Sequence, residues 1–201
     1  LSHATTAPVS FSYATSNGAN PGDASAADYT ATSGSGAIAT NLTTATFTVA
    51  ISDDFIKEGD ESFNVTLSGL SANVAISGNT LTGTGTILDN DPVPTVSTVT
   101  SPTVVEGSGL VYTVTLSNGS STPTTFAYTL GGGTAAATDY GTPAFSNGVT
   151  LAGGILTVPA NVTSFTVTLP TVDDLLNEAT ETVPLNIGGV IGTGSITDND
   201  V

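Results

Sequence analysis

The 201-residue chain contains no Cys, no Trp, no Met and no Arg, and it has one Lys (Lys57) and one His (His3). Without Cys there are no disulfides and no thiolate metal sites. One cationic side chain against 17 acids gives a formal net charge of -16. Such a chain offers no basic patch to phosphates, so nucleic acid and anionic membrane are poor partners and a cation is a good one. No apolar run approaches the roughly 18 residues of a spanning helix, so membrane insertion is not expected. The chain starts at Leu1 with neither Met nor a signal-like segment, which reads as a removed leader or as an excerpt of a longer protein. What is present is Leu, Ile, Val and Phe among abundant Ser, Thr, Gly, Ala and Asn, a globular β-rich composition rather than a disordered one.

The sequence repeats. ISDDFIKEGDESFNVTL (51–67) and TVDDLLNEATETVPL (171–185) share one frame: two Asp, a Glu four residues after the second, and another Glu three further on. In the first copy these are Asp53, Asp54, Glu58 and Glu61; in the second they are Asp173, Asp174, Glu178 and Glu181. Further matches keep the order: SFSY (10–13) with TFAY (125–128), ADY (27–29) with TDY (138–140), TFTVAI (46–51) with SFTVTL (164–169), and GTGTILDND (83–91) with GTGSITDND (192–200). Two modules follow, 1–91 and 95–201, joined by the short stiff linker PVP (92–94).

Both modules read as all-β. TFTVAI, SFNVTL, VYTVTL and SFTVTL alternate apolar and polar residues with period 2, as half-buried antiparallel strands do. Gly, Asn, Ser and Pro punctuate them, and no 3.6-residue period persists. Several short strands per hundred residues predict a β-sandwich in each module. Pro184, inside an otherwise regular strand, predicts an edge or a bulge.

All acids except Asp23 and Asp60 fall in the repeated frame, Glu106 in module 2 alone. Module 2 carries Glu106, Asp139, Asp173, Asp174, Glu178, Glu181, Asp198 and Asp200; module 1 carries Asp28, Asp53, Asp54, Glu58, Glu61, Asp89 and Asp91. They fall at strand ends and in loops, where mere solubility would scatter them. If 95–105 runs as one strand, at about 3.3 Å per residue it spans a sandwich and delivers Glu106 to its far end. Asp198-Asn199-Asp200 closes the last strand at that same end, and Asp89-Asn90-Asp91 stands beside the linker. Three readings of such a cluster are open: a cation site, a solvated acidic face, and a catalytic carboxylate pair as in glycoside hydrolysis. The same acids in both modules and the absence of an insertion that would shape a substrate cleft speak against an enzyme. The donors are hard oxygens and the single His lies near the terminus, a set that suits Ca²⁺ better than Zn²⁺ or Mg²⁺. Neither the EF-hand spacing nor the GGxGxD nonapeptide is present.

The order E-G, D-Y, D-D-x-x-x-E-x-x-E and a closing D-N-D resembles the Calx-beta module of sodium/calcium exchangers and of large bacterial surface proteins. The resemblance covers nearly the whole chain and occurs twice in order. It implies an antiparallel Ig-like β-sandwich with several Ca²⁺ ions in the loops at one end. The ligands it implies are the frame acids of each module, carried by VEG, TDY, VDD and DND in module 2. Asn90 and Asn199 stand where some members carry a third Asp.

Leu1-Ser2 matches Leu116-Ser117, so module 1 lacks the counterparts of its opening strands and of Glu106. An excerpt from an array accounts for this; strand addition by a neighbouring or identical chain, building a fibre, also accounts for it. The expected function is a calcium-binding structural or adhesive module pair of a secreted or cell-surface protein, bacterial in type, with Ca²⁺ ordering the loops and stiffening the joint between modules. The alternatives are a calcium sensor and an accessory module of a larger secreted enzyme.

Overall fold

The computed structural model describes residues 1–20, 22–75 and 81–201. Among these the chain is β throughout, with no helix. In chain order the strands are β1 (Val9–Asn17), β2 (Ser33–Ile38), β3 (Ile56–Lys57), β4 (Glu61–Ser68), β5 (Thr82–Ile87), β6 (Val96–Val99), β7 (Thr103–Val105), β8 (Gly109–Leu116), β9 (Gly119–Ser120), β10 (Thr124–Leu130), β11 (Ala144–Phe145), β12 (Thr150–Ala152), β13 (Ile155–Val158), β14 (Ser164–Pro170), β15 (Glu181–Ile187) and β16 (Val190–Thr197). The chain divides into two compact units: Leu1–Asp54 with Gly59–Asn90, and Phe55–Glu58 with Asp91–Val201.

Unit 2 is an Ig-like sandwich. One sheet has the order β12-β13-β10-β15-β16-β7, and the other has the order β11-β14-β8-β6. Their pairings are antiparallel except for β7, which runs parallel to β16. Period-2 alternation fills the space between the sheets. β8 buries Leu110, Tyr112, Val114 and Leu116, β14 buries Phe165, Val167 and Leu169, and β15 buries Val183, Leu185 and Ile187. The Tyr112 hydroxyl donates across the core to the Val183 carbonyl at 2.6 Å. Burial pushes its phenol up to about 12. Gly194 makes room for that ring: a Cβ there would stand 2.9 Å from Tyr112 Cζ and 2.6 Å from Leu110 Cδ2. The short strand β3 also belongs to unit 2, where it pairs in parallel with β9.

Unit 1 repeats one of these sheets. Its order β2-β1-β4-β5 matches β13-β10-β15-β16, register for register. Val9 faces Ile38 as Thr124 faces Val158. Tyr13 faces Leu67 as Tyr128 faces Ile187. Glu61 faces Ile87 as Glu181 faces Ile196. Among the described residues there is no second sheet in unit 1. Its core is the small cluster Ala24, Tyr29 and Phe63, in which the two rings stack at 4.7 Å.

Three expectations change. TFTVAI (46–51) is not a strand, although SFTVTL is: only Ile51 pairs, as an isolated bridge to Tyr29. Alternation persists there, with Phe47 and Val49 half-buried between exposed neighbours, but a ladder needs a partner strand, and among the described residues only the isolated bridge at Ile51 forms. Residues 95–105 are two strands rather than one. β6 joins β8 and β7 joins β16, so the chain changes sheets at Thr100–Pro102, where Pro102 has no N–H to continue a ladder. Pro184 sits on β15, an interior strand, and no bulge is needed. Its carbonyl accepts from Gly131, just past the end of β10, so its missing N–H faces a place where that ladder has already stopped.

The core reading makes a stability prediction. Leu169→Ala costs about 3 kcal/mol, and Tyr112→Phe, which removes one buried hydrogen bond, costs about 1 kcal/mol. Urea unfolding with unchanged m-values checks both; loss of less than about 1 kcal/mol in Leu169→Ala contradicts a tightly packed core at that position.

Candidate cation site

The closing turn of β7 sets the first acid. Gly107 adopts φ 77°, a backbone conformation that L side chains rarely adopt. A Cβ on it would also stand 3.0 Å from Asp173 Cβ. This turn leaves Glu106 beside the end of β16, where its amide donates to the Thr197 carbonyl at 3.0 Å. The next residues are Asp198-Asn199-Asp200. Glu106 is buried, and single carboxylate oxygens of Glu106, Asp198 and Asp200 all lie within 4.8 Å of one another. Repulsion between carboxylates at that spacing is strong unless something positive or a proton intervenes.

Adjacent to this trio, Glu106, Asp139, Asp174, Glu178 and Glu181 line a cleft of about 130 Å³ together with Thr138, Leu176 and Ile196. Asp173 is tied into the same end by Asn199, whose side-chain amide donates to it at 3.1 Å. All eight sequence-predicted acids of unit 2 therefore gather at one end of the sandwich. Backbone amides hold several in place: Ala136 donates to Asp139 at 2.5 Å, Glu178 to Asp198 at 3.0 Å, Asp200 to Asp198 at 2.9 Å, and Asn199 to Glu106 at 3.2 Å. Asp200 Oδ2 is different. It is shut off from solvent and has no hydrogen-bond partner, a costly state for a carboxylate oxygen unless a cation or a proton satisfies it.

The proton affinities register this crowding. Burial first, then the hydrogen bond and charge of Asp139 and the charges of Glu178 and Glu106, push Glu181 up to about 7. Burial followed by Asp174, Asp139 and Asp198 raises Glu178, and burial followed by Asp198, Asp173 and Asp174 raises Asp200. At Glu106 the Asn199 amide is the largest influence and lowers the value, but burial together with Asp198 and Asp200 outweighs it and the net shift is upward. Asp198 moves the other way, lowered chiefly by the Asp200 amide.

Unit 1 rebuilds the parts of this arrangement that its sequence retains. Asp28 accepts from the Ser25 amide at 2.6 Å, as Asp139 does from Ala136. Asp53 accepts from the Asn90 side chain at 3.4 Å, as Asp173 does from Asn199. Carboxylate oxygens of Asp28 and Glu61 lie within 4.8 Å. Asp54 precedes the Phe55–Glu58 segment, which takes Glu58 into unit 2, and Asp91 opens the main body of unit 2. Asp89 donates its amide to Asp60, an acid outside the repeated frame. Asp23, also outside it, caps a turn: the Asn20 amide and then Ser62 hold it below its ordinary value. Sequence reasoning missed the role of Asn90 and Asn199, whose side-chain amides donate to Asp53 and Asp173 where a third Asp would repel them. Their recurrence in both DND triplets was the available signal.

Neither protein-family models nor curated proteins match the chain. Among solved structures it is similar to the calcium-binding domain pair CBD12 of CALX1.1, at 17% identity over 90% of this chain and 68% of that one, with a TM-score of 0.38. CBD12 of CALX1.2 is similar at 19% identity over the same shares, also at 0.38. The apo form of the Calx CBD1 domain is similar at 24% identity over 43% of this chain and 73% of that one, again at 0.38. Superpositions this loose carry no ligand assignments.

A carboxyl whose pKa is raised by folding binds its proton more tightly in the folded state. Its stabilising contribution is complete below the unfolded value and is lost as pH rises through the folded one. For Glu181 that window runs from about pH 4.5 to about 7. In chelator, the thermal midpoint of unit 2 should fall across this window, and Glu181→Gln should remove much of the fall. Asp198, whose value is lowered, acts oppositely and only below about pH 4. Calorimetry across this range checks the sign; a midpoint that rises from pH 5 to pH 7 in chelator contradicts it.

Proposed function

We propose that the chain is a calcium-binding structural module pair of a secreted or cell-surface protein, with the ions held at the carboxylate end of each module. The observation that carries this reading is the convergence of Glu106, Asp198 and Asp200 around a solvent-shielded, unpartnered Asp200 Oδ2. In a chain with one Lys and no Arg, protein cations cannot neutralise 17 acids. The donors are all carboxylate, amide and carbonyl oxygens, which fits Ca²⁺ and its irregular six-to-eight coordination better than softer metals. Asp139, Asp173, Asp174, Glu178 and Glu181 complete the set in unit 2. Asp28, Asp53, Asp54, Glu58, Glu61, Asp89 and Asp91 are their module-1 counterparts by motif. The ordered VEG, TDY, VDD and DND motifs support the Calx-beta likeness independently of any superposition.

Binding to the folded state alone adds stability as RT ln(1 + [L]/Kd), about 2.7 kcal/mol at a hundredfold excess over Kd. Pro92–Pro94 follow directly on Asp89–Asp91 in sequence, so ordering those carboxylates also restrains the linker. The role assigned is mechanical: the ions turn mutually repelling loops into cross-linked ones.

The test is thermal unfolding in EDTA followed by Ca²⁺ titration, with Mg²⁺ as control. A Ca²⁺-specific rise in midpoint on the order of 10 °C is expected. Saturation near 10⁻⁴ to 10⁻³ M, roughly the range of extracellular calcium modules, fits the structural role, whereas saturation far below it identifies a sensor. Asp200→Asn separates the cation reading from ordinary surface charge. It should raise the midpoint in EDTA, by relieving repulsion, and weaken the calcium response. Absence of any calcium response in the parent chain sinks the proposal.

A further inference from the structure

We infer, on the calcium reading above, that Asn177 is a positioning residue for the cation site of unit 2: it straps the acidic loop 173–178 onto the closing segment 198–200 and so holds the loop's carboxylates in place for the ion. Asn177 is uncharged and is not among the frame acids. Its side-chain amide nevertheless donates to the Asp200 carbonyl at 2.8 Å, across 23 positions of sequence.

Strand pairing and apolar packing do little for this loop. Residues 173–178 form no strand. Leu175 is 90% exposed and Leu176 63%, so burial of these side chains adds little. The Leu176 amide donates to Asp174 at 2.7 Å, which shapes the loop without tying it to anything outside. Charge pushes the loop outward. It carries Asp173, Asp174 and Glu178 against Asp198 and Asp200: after burial, the charges of Asp198, Asp173 and Asp174 raise Asp200, and after burial those of Asp174, Asp139 and Asp198 raise Glu178. A loop so balanced opens easily unless polar ties hold it.

Three such ties join it to the closing segment. Asn199 donates its side-chain amide to Asp173 at 3.1 Å, Glu178 donates its main-chain amide to Asp198 at 3.0 Å, and Asn177 donates to the Asp200 carbonyl. The first two end on carboxylate oxygens of the proposed ligand set, on which an incoming ion also draws. The Asn177 tie ends on a main-chain carbonyl and leaves every carboxylate oxygen to the ion. The duplicated frame solves the same problem differently. Lys57 of DDFIKE stands where Asn177 stands in DDLLNE. Its segment is laid into the pairing of β3 with β9, and its Nζ donates to the Glu58 carbonyl at 3.0 Å. Strand pairing places residues 56–57; side-chain ties place 173–178. An ion that needs the loop closed is bound with an apparent affinity scaled by the closed fraction, and Asn177 raises that fraction.

The probe is Ca²⁺ itself, titrated into the full chain from chelator and followed at the amides of 174–178 and 198–200 by NMR, with hydrogen exchange as a second measurement. Asn177→Leu keeps the approximate size at this exposed position and removes the donor. Its apparent calcium affinity at unit 2 should be about three- to tenfold weaker, as loss of one such hydrogen bond implies. Exchange at 174–178 should be faster in chelator and recover at saturating Ca²⁺, while β8 and β14 keep their protection throughout. Asn177→Gln, which retains a donor on a longer arm, should fall between the parent and Asn177→Leu. Parent-like affinity in Asn177→Leu overturns the inference and leaves the calcium reading standing. Weaker binding accompanied by lost protection in β8 and β14 also overturns it, because Asn177 then serves general stability. A parent chain with no calcium response overturns the calcium reading and this inference together.

Discussion

The pairing of β8 with β14 is the contact on which the rest of the structure depends. Where it is made, seven residues of each strand align, two sheets close on one another, and Leu110, Tyr112, Val114, Phe165, Val167 and Leu169 leave water almost completely. Where it is not made, the same alternating sequence remains unladdered, and among the described residues the buried apolar set shrinks to Ala24, Tyr29 and Phe63 with Val9 apart from them. Two copies of one sequence plan, with matching registers in their shared sheet, thus differ in core size among the described residues, where the β8–β14 pairing is formed in unit 2 alone. A period-2 pattern supplies a face to bury, but a ladder needs a partner.

The second constraint is electrostatic and works at the other level of the structure. The sandwich brings strand ends together, and in unit 2 those ends carry eight acids. Main-chain amides and Asn199 fix individual oxygens in position, which is what lets like charges stand within 4.8 Å. The remaining repulsion appears as raised proton affinity at Glu181, Glu178, Glu106 and Asp200. Core packing and loop charge oppose each other: the core brings the acids together, and their mutual repulsion favours whatever neutralises them, a proton or a cation. A module of this kind has its stability coupled to its ionic surroundings by construction.

Much of this was legible in the residues alone. The duplicated frame, the all-β class and the identity of the acids needed only spacing and alternation, because those features repeat with fixed offsets. The position of Glu106 beside Asp198 and Asp200 followed from strand length, even though the path differs: the chain reaches that end by changing sheets at Thr100–Pro102 instead of running straight. Less legible were features that depend on neighbours remote in sequence. TFTVAI has the pattern of a strand, and Pro184 has the look of an edge residue; pairing partners decided against the first and explained the second. Asn90 and Asn199 looked like weakened ligand positions, and their roles as donors emerged only with Asp53 and Asp173 set beside them.

By itself, then, the sequence determined which residues alternate, which acids recur and which chemistry they exclude, because these are local or periodic properties of a chain. Tertiary structure decided which strands find partners, which carboxylate oxygen is sealed from solvent, and which apolar face stays open. Those outcomes depend on distances between residues far apart in sequence, 93 positions for Glu106 and Asn199 and 82 for Tyr112 and Gly194, and no pattern along the chain encodes them.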